Sequence, residues 1–279
     1  MERGAVEHRL DGLGGSDNTI RALVDNTQGI GRSVMSSPEI AVITTVDPSR
    51  TDHLMSTYQS LQEQIDVNWE WCVYFDGPGV QHPLESTSDS RVKVRRGDRS
   101  RGAAFGRNCA VLMSRSEFLR NLDADDLLIG TTALSLCLNN LMRPGIGFCV
   151  TVTADQKHDG SLTNFESRFT PYGVLPRGYW GSAWIEHRFL DMRAHTLGCR
   201  KDLYWVCGGY RAMQFAEDVT LIVSMNELCE GWFERTPSSI YRLWSGQMSA
   251  APERPWELDA TYREVTQSVG SLRRWLGPH

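Results

Sequence analysis

Phe118-Leu119-Arg120-Asn121-Leu122-Asp123-Ala124-Asp125-Asp126 is a short apolar run that ends in three carboxylates within four positions. Read as an extended strand, whose side chains alternate between faces, it sends Asp123 and Asp125 to the same side. Carboxylates placed that way repel one another unless a proton or a cation sits between them. A hard divalent ion with open positions for phosphate oxygens meets that need. Aspartates at a strand end are also ordinary turn chemistry, so the meaning of this D-x-D rests on the segments around it.

Upstream, Glu39 to Thr45 is a β-branched run suited to a buried parallel strand. A helix with Leu54, Met55, Tyr58, Leu61 and Ile65 on one stripe follows it. The strand Trp69 to Phe75 then ends in Asp76-Gly77-Pro78-Gly79. Strand, helix, strand makes a βαβ unit, whose crossover is right-handed. Arg91 to Arg95 alternates as a half-exposed third strand, Ala103 to Met113 reads as a helix and Glu117 to Leu122 as the fourth strand. Downstream, a helix over Thr131–Leu141 stops at Pro144-Gly145, and a strand runs from Gly147 to Thr153. Residues 155–190 show no clear period and read as a long insertion, a lid or binding loop. Regular pattern returns over Ala194–Arg200 and Leu203–Tyr210, with a helix from about Asp218 to Cys229. Strands over Gly231–Thr236 and Ile240–Leu243 and an amphipathic helix over Trp256–Leu276 follow. Residues 1–37, rich in Gly, Ser, Asn and charge, read as a flexible or loosely docked extension.

With 279 residues, 41% hydrophobic content and 23% charged, the chain has the composition of an ordinary soluble α/β protein. A net charge of −5 sets aside a general nucleic-acid partner. No apolar run is long enough for an integral membrane segment, and the N-terminus lacks the apolar core of a signal peptide. The seven cysteines are odd in number and form no C-x-x-C pair, which fits a reducing cytoplasm. No histidine spacing suggests zinc.

In open parallel sheets, ligands bind beyond the carboxyl ends of the strands. Three such ends carry polar groups: Thr44-Thr45, Asp76-Gly77 and Asp123 to Asp126. The Gly102-Ala103-Ala104-Phe105-Gly106-Arg107-Asn108 segment opens a helix with small residues, whose backbone N–H groups suit a phosphate. No G-x-G-x-x-G follows the first strand. Taken with Cys207-Gly208-Gly209-Tyr210, Glu217-Asp218 and Tyr241-Arg242-Leu243-Trp244-Ser245-Gly246-Gln247, these pieces stand in one order over roughly residues 38–250. In that order they resemble glycosyltransferase family 2.

The resemblance implies a GT-A fold, a mixed, mostly parallel central sheet flanked by helices. Its domain would cover 38–250, with a nucleotide-binding half (38–130), an acceptor-binding half (131–250) and a C-terminal tail or helix (251–279). It implies an inverting transferase that moves a sugar from a nucleotide-diphosphate donor to an acceptor hydroxyl or amine, a small molecule or a glycan. Thr44, Thr45, Asp76 and Gly77 would serve the base and ribose. Asp123 would touch ribose or metal, and Asp125 would be the main ligand of Mg²⁺ or Mn²⁺. Arg107 would support the site, near the phosphates or by pairing with an acidic loop. Asp218, with Glu217 beside it, matches the family's catalytic base, and Arg242 and Gln247 would face the diphosphate or the closing loop. Two departures stand out. The first strand ends in Thr44-Thr45-Val46-Asp47 where many relatives have Pro-x-Tyr-Asn, and Trp244 occupies a position where many have His.

On the acceptor side, Tyr172, Tyr179, Trp180 and Trp184 read either as a surface for sugar rings or as core cover, and His195, Gly208 and Gly209 are further acceptor candidates. The basic stretch Arg91 to Arg101 reads as a solvated edge strand whose last two arginines, Arg99 and Arg101, lie close to the Gly102 helix start. Two other functions are open to the same residues: a nucleotidyltransferase of related fold, and a non-catalytic sugar-nucleotide binder. The oligomeric state is left open, a homodimer included.

Overall fold

The computed structural model of the chain describes residues 37–213, 216–243 and 255–277. The N-terminal extension, Trp244 and Gln247 lie outside them. Strand β1 (Ile40–Val46) is the first element among the described residues and lies inside the nucleotide-binding half expected from the sequence. Helix α1 (Leu54–Gln62) leads to β2 (Trp69–Phe75), which pairs in parallel with β1 from Ile40↔Trp69 to Val46↔Phe75. The next elements are β3 (Val92–Arg96), α2 (Ala103–Met113), β4 (Phe118–Asn121), β5 (Leu127–Leu128) and α3 (Ala133–Leu141). In the second half come β6 (Ile146–Gln156), β7 (Leu162–Asn164), β8 (Gly173–Leu175), α4 (Tyr179–His187), β9 (Gly198–Arg200) and α5 (Lys201–Val206). The chain continues through α6 (Glu217–Leu228), β10 (Glu230–Arg242) and α7 (Pro255–Leu276).

The sheet runs β3-β2-β1-β4-β9-β6-β10-β5, with β7 on β6 and β8 on β10. Strands β3, β2, β1 and β4 are parallel. Short β9 is antiparallel to both β4 and β6, so β6 and its parallel neighbour β10 run in the same direction as β4. The six longest strands therefore end at one rim.

Alternation along β1 divides the core. Ile40 and Val42 pack with Leu54, Tyr58 and Leu61 of α1. Ala41 and Ile43 pack with Ala104, Ala110 and Val111 of α2. Helix α2 comes close to β1 at Gly106, where an added Cβ would collide with the Thr45 hydroxyl and crowd Thr45 Cβ at 2.9 Å. Gly106→Ala therefore sets a helix-propensity gain of about 1 kcal/mol against an overpacking cost of about 1–3 kcal/mol. We expect a net loss of stability, read as a lower urea midpoint at unchanged m-value.

Several expectations are revised. Strand β4 stops at Asn121, and Asp123 to Asp126 form a turn closed by the Asp126 N–H on the Asp123 carbonyl at 3.2 Å. Turn geometry, not strand alternation, therefore brings the aspartates together. Residues 155–190 contain β7, β8 and helix α4. The inward residues Trp180, Gly181, Ala183 and Trp184 give α4 its buried face, but its Gly-rich start hides the period. Trp180 and Trp184 are core residues, 0% and 6% exposed, and form no acceptor surface. Residues 230–242 form one strand, whose register slips between Glu234 and Ser239. Pro237 falls inside that slip, as a residue without a ladder donor must. The edge strand β3 is less solvated than its charge suggests. Lys93 pairs with buried Glu70, Arg91 with Asp89, and the Arg91 guanidinium lies over the Trp69 ring.

Among the described residues, no helix is long and apolar enough to cross a membrane. All seven cysteines are free thiols, and six of them are buried. Helix α7 is docked on the domain, with Val265 and Val269 fully inside the main core.

Candidate active site

The tips of β2, β1 and β4 stand side by side, so the three polar strand ends line one stretch of rim. Thr44 lies beneath it. Its hydroxyl donates to the Leu122 carbonyl at 2.7 Å and accepts from Trp71 Nε1 at 2.8 Å, and the residue is 1% exposed. Thr44 thus ties β1 to the start of the acidic turn and has no face toward a ligand. Thr45 points the other way, toward α2, and is half-buried. The Asp76 carboxylate accepts from Ser100 Oγ (2.8 Å), Arg101 N (2.9 Å) and Gly102 N (2.8 Å), which fixes the loop entering α2. Gly77 has φ +117°, and a Cβ there would meet Ser100 N at 2.9 Å, so only glycine fits against that loop.

Arg107 is the hinge of the site. Its Nη2 donates to Asp123 Oδ1 at 3.0 Å and its Nη1 to Glu217 Oε1 at 2.7 Å. One guanidinium thereby joins the acidic turn after β4 to the start of α6, where Asp218 follows Glu217. The two acidic segments, far apart in sequence, meet at one guanidinium. The sequence expectation that Arg107 pairs with an acidic loop describes this contact. Burial pushes the Asp123 carboxyl up, but Arg107, His195 and Arg120 together outweigh it and hold the group below its usual value. Burial disfavours the Arg107 cation, yet Asp123, Tyr210 and Glu217 together raise its pKa. Beneath Arg107 lies the Tyr210 ring, 5.2 Å from the guanidinium carbon. The adjacent Asn108 places that ring, with its Nδ2 on the Tyr210 carbonyl at 2.8 Å and the Tyr210 N–H on its Oδ1 at 3.0 Å. Gly208 and Gly209 (φ +83° and +65°) make the turn that delivers Tyr210 there.

Asp218 opens α6, and its Oδ1 accepts from the Val219 N–H at 2.7 Å. Burial, then the neighbouring Glu217 charge, raise its carboxyl to about 6, against the pull of Arg107. The residue before them, Ala216, is held at φ +58°, a left-handed conformation that alanine rarely adopts.

The third aspartate sits deepest. Asp126 is 0% exposed, and its Oδ2 lies 3.4 Å from Nε2 of buried His195. Neither atom has a hydrogen-bond partner among the described residues. Burial, with Asp123 and Asp125 nearby, raises the Asp126 carboxyl well above its usual value. Burial also lowers His195 to about 4, despite the attraction of Asp123. Ligand atoms of Asp123, Asp126 and His195 lie within 4.8 Å of one another. Two carboxylates and an imidazole, two of the three with an orphaned atom, are a donor set that fits a divalent cation. Asp125, half-buried in the same turn, is one residue away.

Several supports were not legible in the sequence. The Thr57 hydroxyl faces the Ala124 and Asp126 carbonyls at 2.9 and 2.8 Å, pinning the turn to α1. Arg120, fully buried, donates to the His195 carbonyl at 2.7 Å and to Ser238 Oγ and Ser239 Oγ at 2.9 and 2.8 Å. An arginine inside a buried strand was the available signal. The Arg242 N–H donates to Asp126 Oδ1 at 3.2 Å and its Nη2 to Ser56 Oγ at 2.9 Å, so the end of β10 is tied to the acidic turn and α1. His195, expected on the acceptor side, belongs to the acidic cluster and stacks on Tyr241 at 5.2 Å.

Residues 48–206, more than half of the chain, match the family described as Glycosyl transferase family 2. The chain belongs to glycosyltransferase family 2. Over 111 residues it is 28% identical to WfgD of Escherichia coli, described as UDP-Glc:alpha-D-GlcNAc-diphosphoundecaprenol beta-1,3-glucosyltransferase. That match covers 38% of this chain and 44% of the relative, so it spans less than half of the relative's length. Among solved structures, S. aureus TarS 1-349 in complex with UDP-GlcNAc superposes with a TM-score of 0.64 at 16% identity, covering 84% of this chain and 66% of that one. The mannosyltransferase PcManGT from Pyrobaculum calidifontis, in complex with GDP-Man and Mn²⁺, gives 0.54 at 12% identity, covering 92% and 83%. These likenesses concern the fold. The mixed, mostly parallel α/β sheet flanked by helices that the family resemblance implies is the fold observed, the GT-A fold.

Proposed function

We propose that this chain transfers a sugar, with inversion at its anomeric carbon, from a nucleoside-diphosphate donor to an acceptor hydroxyl or amine, assisted by Mg²⁺ or Mn²⁺. The observation that carries this reading is the Arg107 bridge, which holds Asp123 and Glu217-Asp218 side by side. Asp218 is the base. With its carboxyl near 6 it is mostly ionised at neutral pH, yet basic enough to take a proton from the attacking acceptor. With Asp123, Asp125 and Asp126 assigned to the cation and Glu217 paired with Arg107, Asp218 acts alone as the base of a single displacement, by analogy with hydrolases.

Asp123 and Asp125, with Asp126 and His195 behind them, are the residues that would hold the cation, and the orphaned Asp126 and His195 atoms support that assignment. When bound, such an ion neutralises charge on the leaving diphosphate. The nucleoside lies over the tips of β1 and β2, at Thr45, Asp76 and Gly77. Arg242 serves the diphosphate or the closing loop, as the resemblance also implies for Gln247, and the space beyond β6 and β10 receives the acceptor. UDP-sugar and GDP-sugar complexes of the solved relatives support a nucleotide-sugar donor without choosing its base. A small-molecule acceptor and a cytoplasmic setting remain part of this reading.

The test is thermal shift with UDP, GDP and dTDP, each with Mn²⁺ or Mg²⁺, followed by nucleotide release from the corresponding sugar donors. A cognate nucleotide at about a hundredfold its Kd adds roughly 2.7 kcal/mol. In Asp125→Ala the cation-dependent part of that gain should vanish. No stabilisation and no release with any donor would overturn the reading. Binding without turnover would favour a non-catalytic binder, and pyrophosphate formation from a nucleoside triphosphate and a sugar phosphate a nucleotidyltransferase. NMR of the product anomer, identified against that of the donor, checks inversion.

A further inference from the structure

A cavity of about 220 Å³ opens beside Val152 of β6 and the middle of β10, at Arg235 and Pro237, between the end of β7 and the segment before β8. The mechanism above does not use it. Two aromatic rings, Phe165 and Tyr172, share its lining with Asn164, Glu166 and Arg235. The side chains of Asn164 and Glu166 make no hydrogen bond within the described residues, so their polar atoms are available to a guest.

The frame around these groups is fixed. The Tyr172 ring lies 5.1 Å from fully buried Phe233, nearly parallel to it at 26°. Its hydroxyl accepts from the Ser167 N–H at 3.1 Å, and the Arg235 guanidinium carbon lies 5.6 Å from the ring centre. Phe165 is anchored to β6 through its N–H on the Thr153 carbonyl at 2.9 Å. Buried Asp191 gathers the loop between the two rings, accepting from Ser167 Oγ (2.7 Å), Arg168 N (2.6 Å) and Phe169 N (2.8 Å), and from the Thr170 hydroxyl. A partly exposed aromatic ring held in place this way loses little entropy when something stacks on it.

The cavity adjoins the reaction centre through side chains in contact. The Arg193 guanidinium packs between the Phe165 ring (5.1 Å) and the Tyr241 ring (4.7 Å), and its Nη2 donates to Asp155 Oδ2 at 2.6 Å. On its other side Tyr241 meets His195, which faces Asp126. The run from Phe165 to Asp126 thus follows the rim where β4, β6 and β10 end.

We infer that this cavity is a subsite for a sugar ring of the acceptor. The inference deepens the transferase reading and rests on it. A pyranose has apolar C–H faces and a hydroxyl edge. Aromatic faces suit the first, and a carboxylate, an amide and a guanidinium together suit the second, since hydroxyls both donate and accept. An anionic group is disfavoured by Glu166, and a purely apolar guest by the unpaired polar atoms.

Saturation-transfer NMR tests this with the methyl glycosides of glucose, galactose, mannose and N-acetylglucosamine, on the full chain. At least one glycoside should saturate on the wild type. Its affinity should fall about tenfold or more, roughly 1.4 kcal/mol, in both Tyr172→Ala and Arg235→Ala, while binding of the cognate nucleoside diphosphate with Mn²⁺ is unchanged. Both positions are exposed, so the folded state should survive either change, and retained nucleotide binding verifies it. Saturation by none of the four glycosides, or saturation that persists in both variants, overturns the subsite. Tyr172-dependent glycoside binding in a protein that binds no nucleoside diphosphate would support the sugar site and count against the donor reading alone.

Discussion

Replacing Asp218 by Asn is expected to lower turnover by about 10²–10⁴-fold, the usual contribution of a positioned general base. The change keeps the size of the side chain and the acceptor for the Val219 N–H. It removes only the ability to take a proton. Donor binding should therefore persist, and the loss should appear in kcat and in kcat/KM alike. The wild-type pH profile carries the same information. Asp218 works as the carboxylate, and its carboxyl is raised to about 6. Activity should rise with pH through that region and flatten above it, and the Asn variant should lose this acid limb. A wild-type kcat/KM that is flat from pH 5 to pH 8, or an Asn variant of normal rate, would remove Asp218 from the role of base.

Arg107→Ala should be the most destabilising single change at the site, costing about 3–5 kcal/mol, as when one partner of a buried ion pair is deleted. The side chain touches two carboxylates and covers Tyr210, so its loss leaves Asp123 and Glu217 facing each other without a cation between them. The sign with pH follows from Asp123, whose carboxyl is held below its ordinary value against burial, with Arg107 the largest of the lowering influences. The stability that Asp123 contributes is fully present above the unfolded carboxylate pKa and is lost as pH falls through the lower, folded value. Urea unfolding should therefore show the full deficit at neutral pH and a smaller one in acid. Arg107 also opposes the rise at Asp218, so any residual activity should have its acid limb at higher pH than the wild type. Arg107→Lys keeps the charge but cannot reach both acids with a planar fork, and it should fall between the two. Equal stability of wild type and Arg107→Ala would mean that the bridge is incidental to the fold.

What the sequence revealed follows the range of the interactions involved. Strands β1, β2 and β6 were legible because unbroken β-branched and aromatic runs have few other uses. The rim was legible because polar groups at strand ends stand out against those runs. Helix α4 was not, since Gly178 and Gly181 hide a face that tertiary packing defines. The pairing of Arg107 with Asp123 and Glu217 joins residues 16 and 110 positions apart, and only the order of motifs hinted at it. Thr44 was misread as a ligand group because a threonine at a strand tip looks the same whether it faces solvent or, as here, the Trp71 indole. His195 and Asp126 could not be paired in advance. Nothing local to either indicates that a short strand will carry one to the other.

That strand, β9, travels against its neighbours. A strand of reversed direction starts towards the side where those beside it finish, so the residues leading into it arrive at the rim where the parallel strands end. The stretch from the end of β6 to the start of β9 leaves from and returns to that rim, while Leu175, Trp180 and Trp184 hold its middle in the core. Such an architecture confines freely exchangeable sequence to the exposed runs between those anchors, and residues 157–164 form the longest of them.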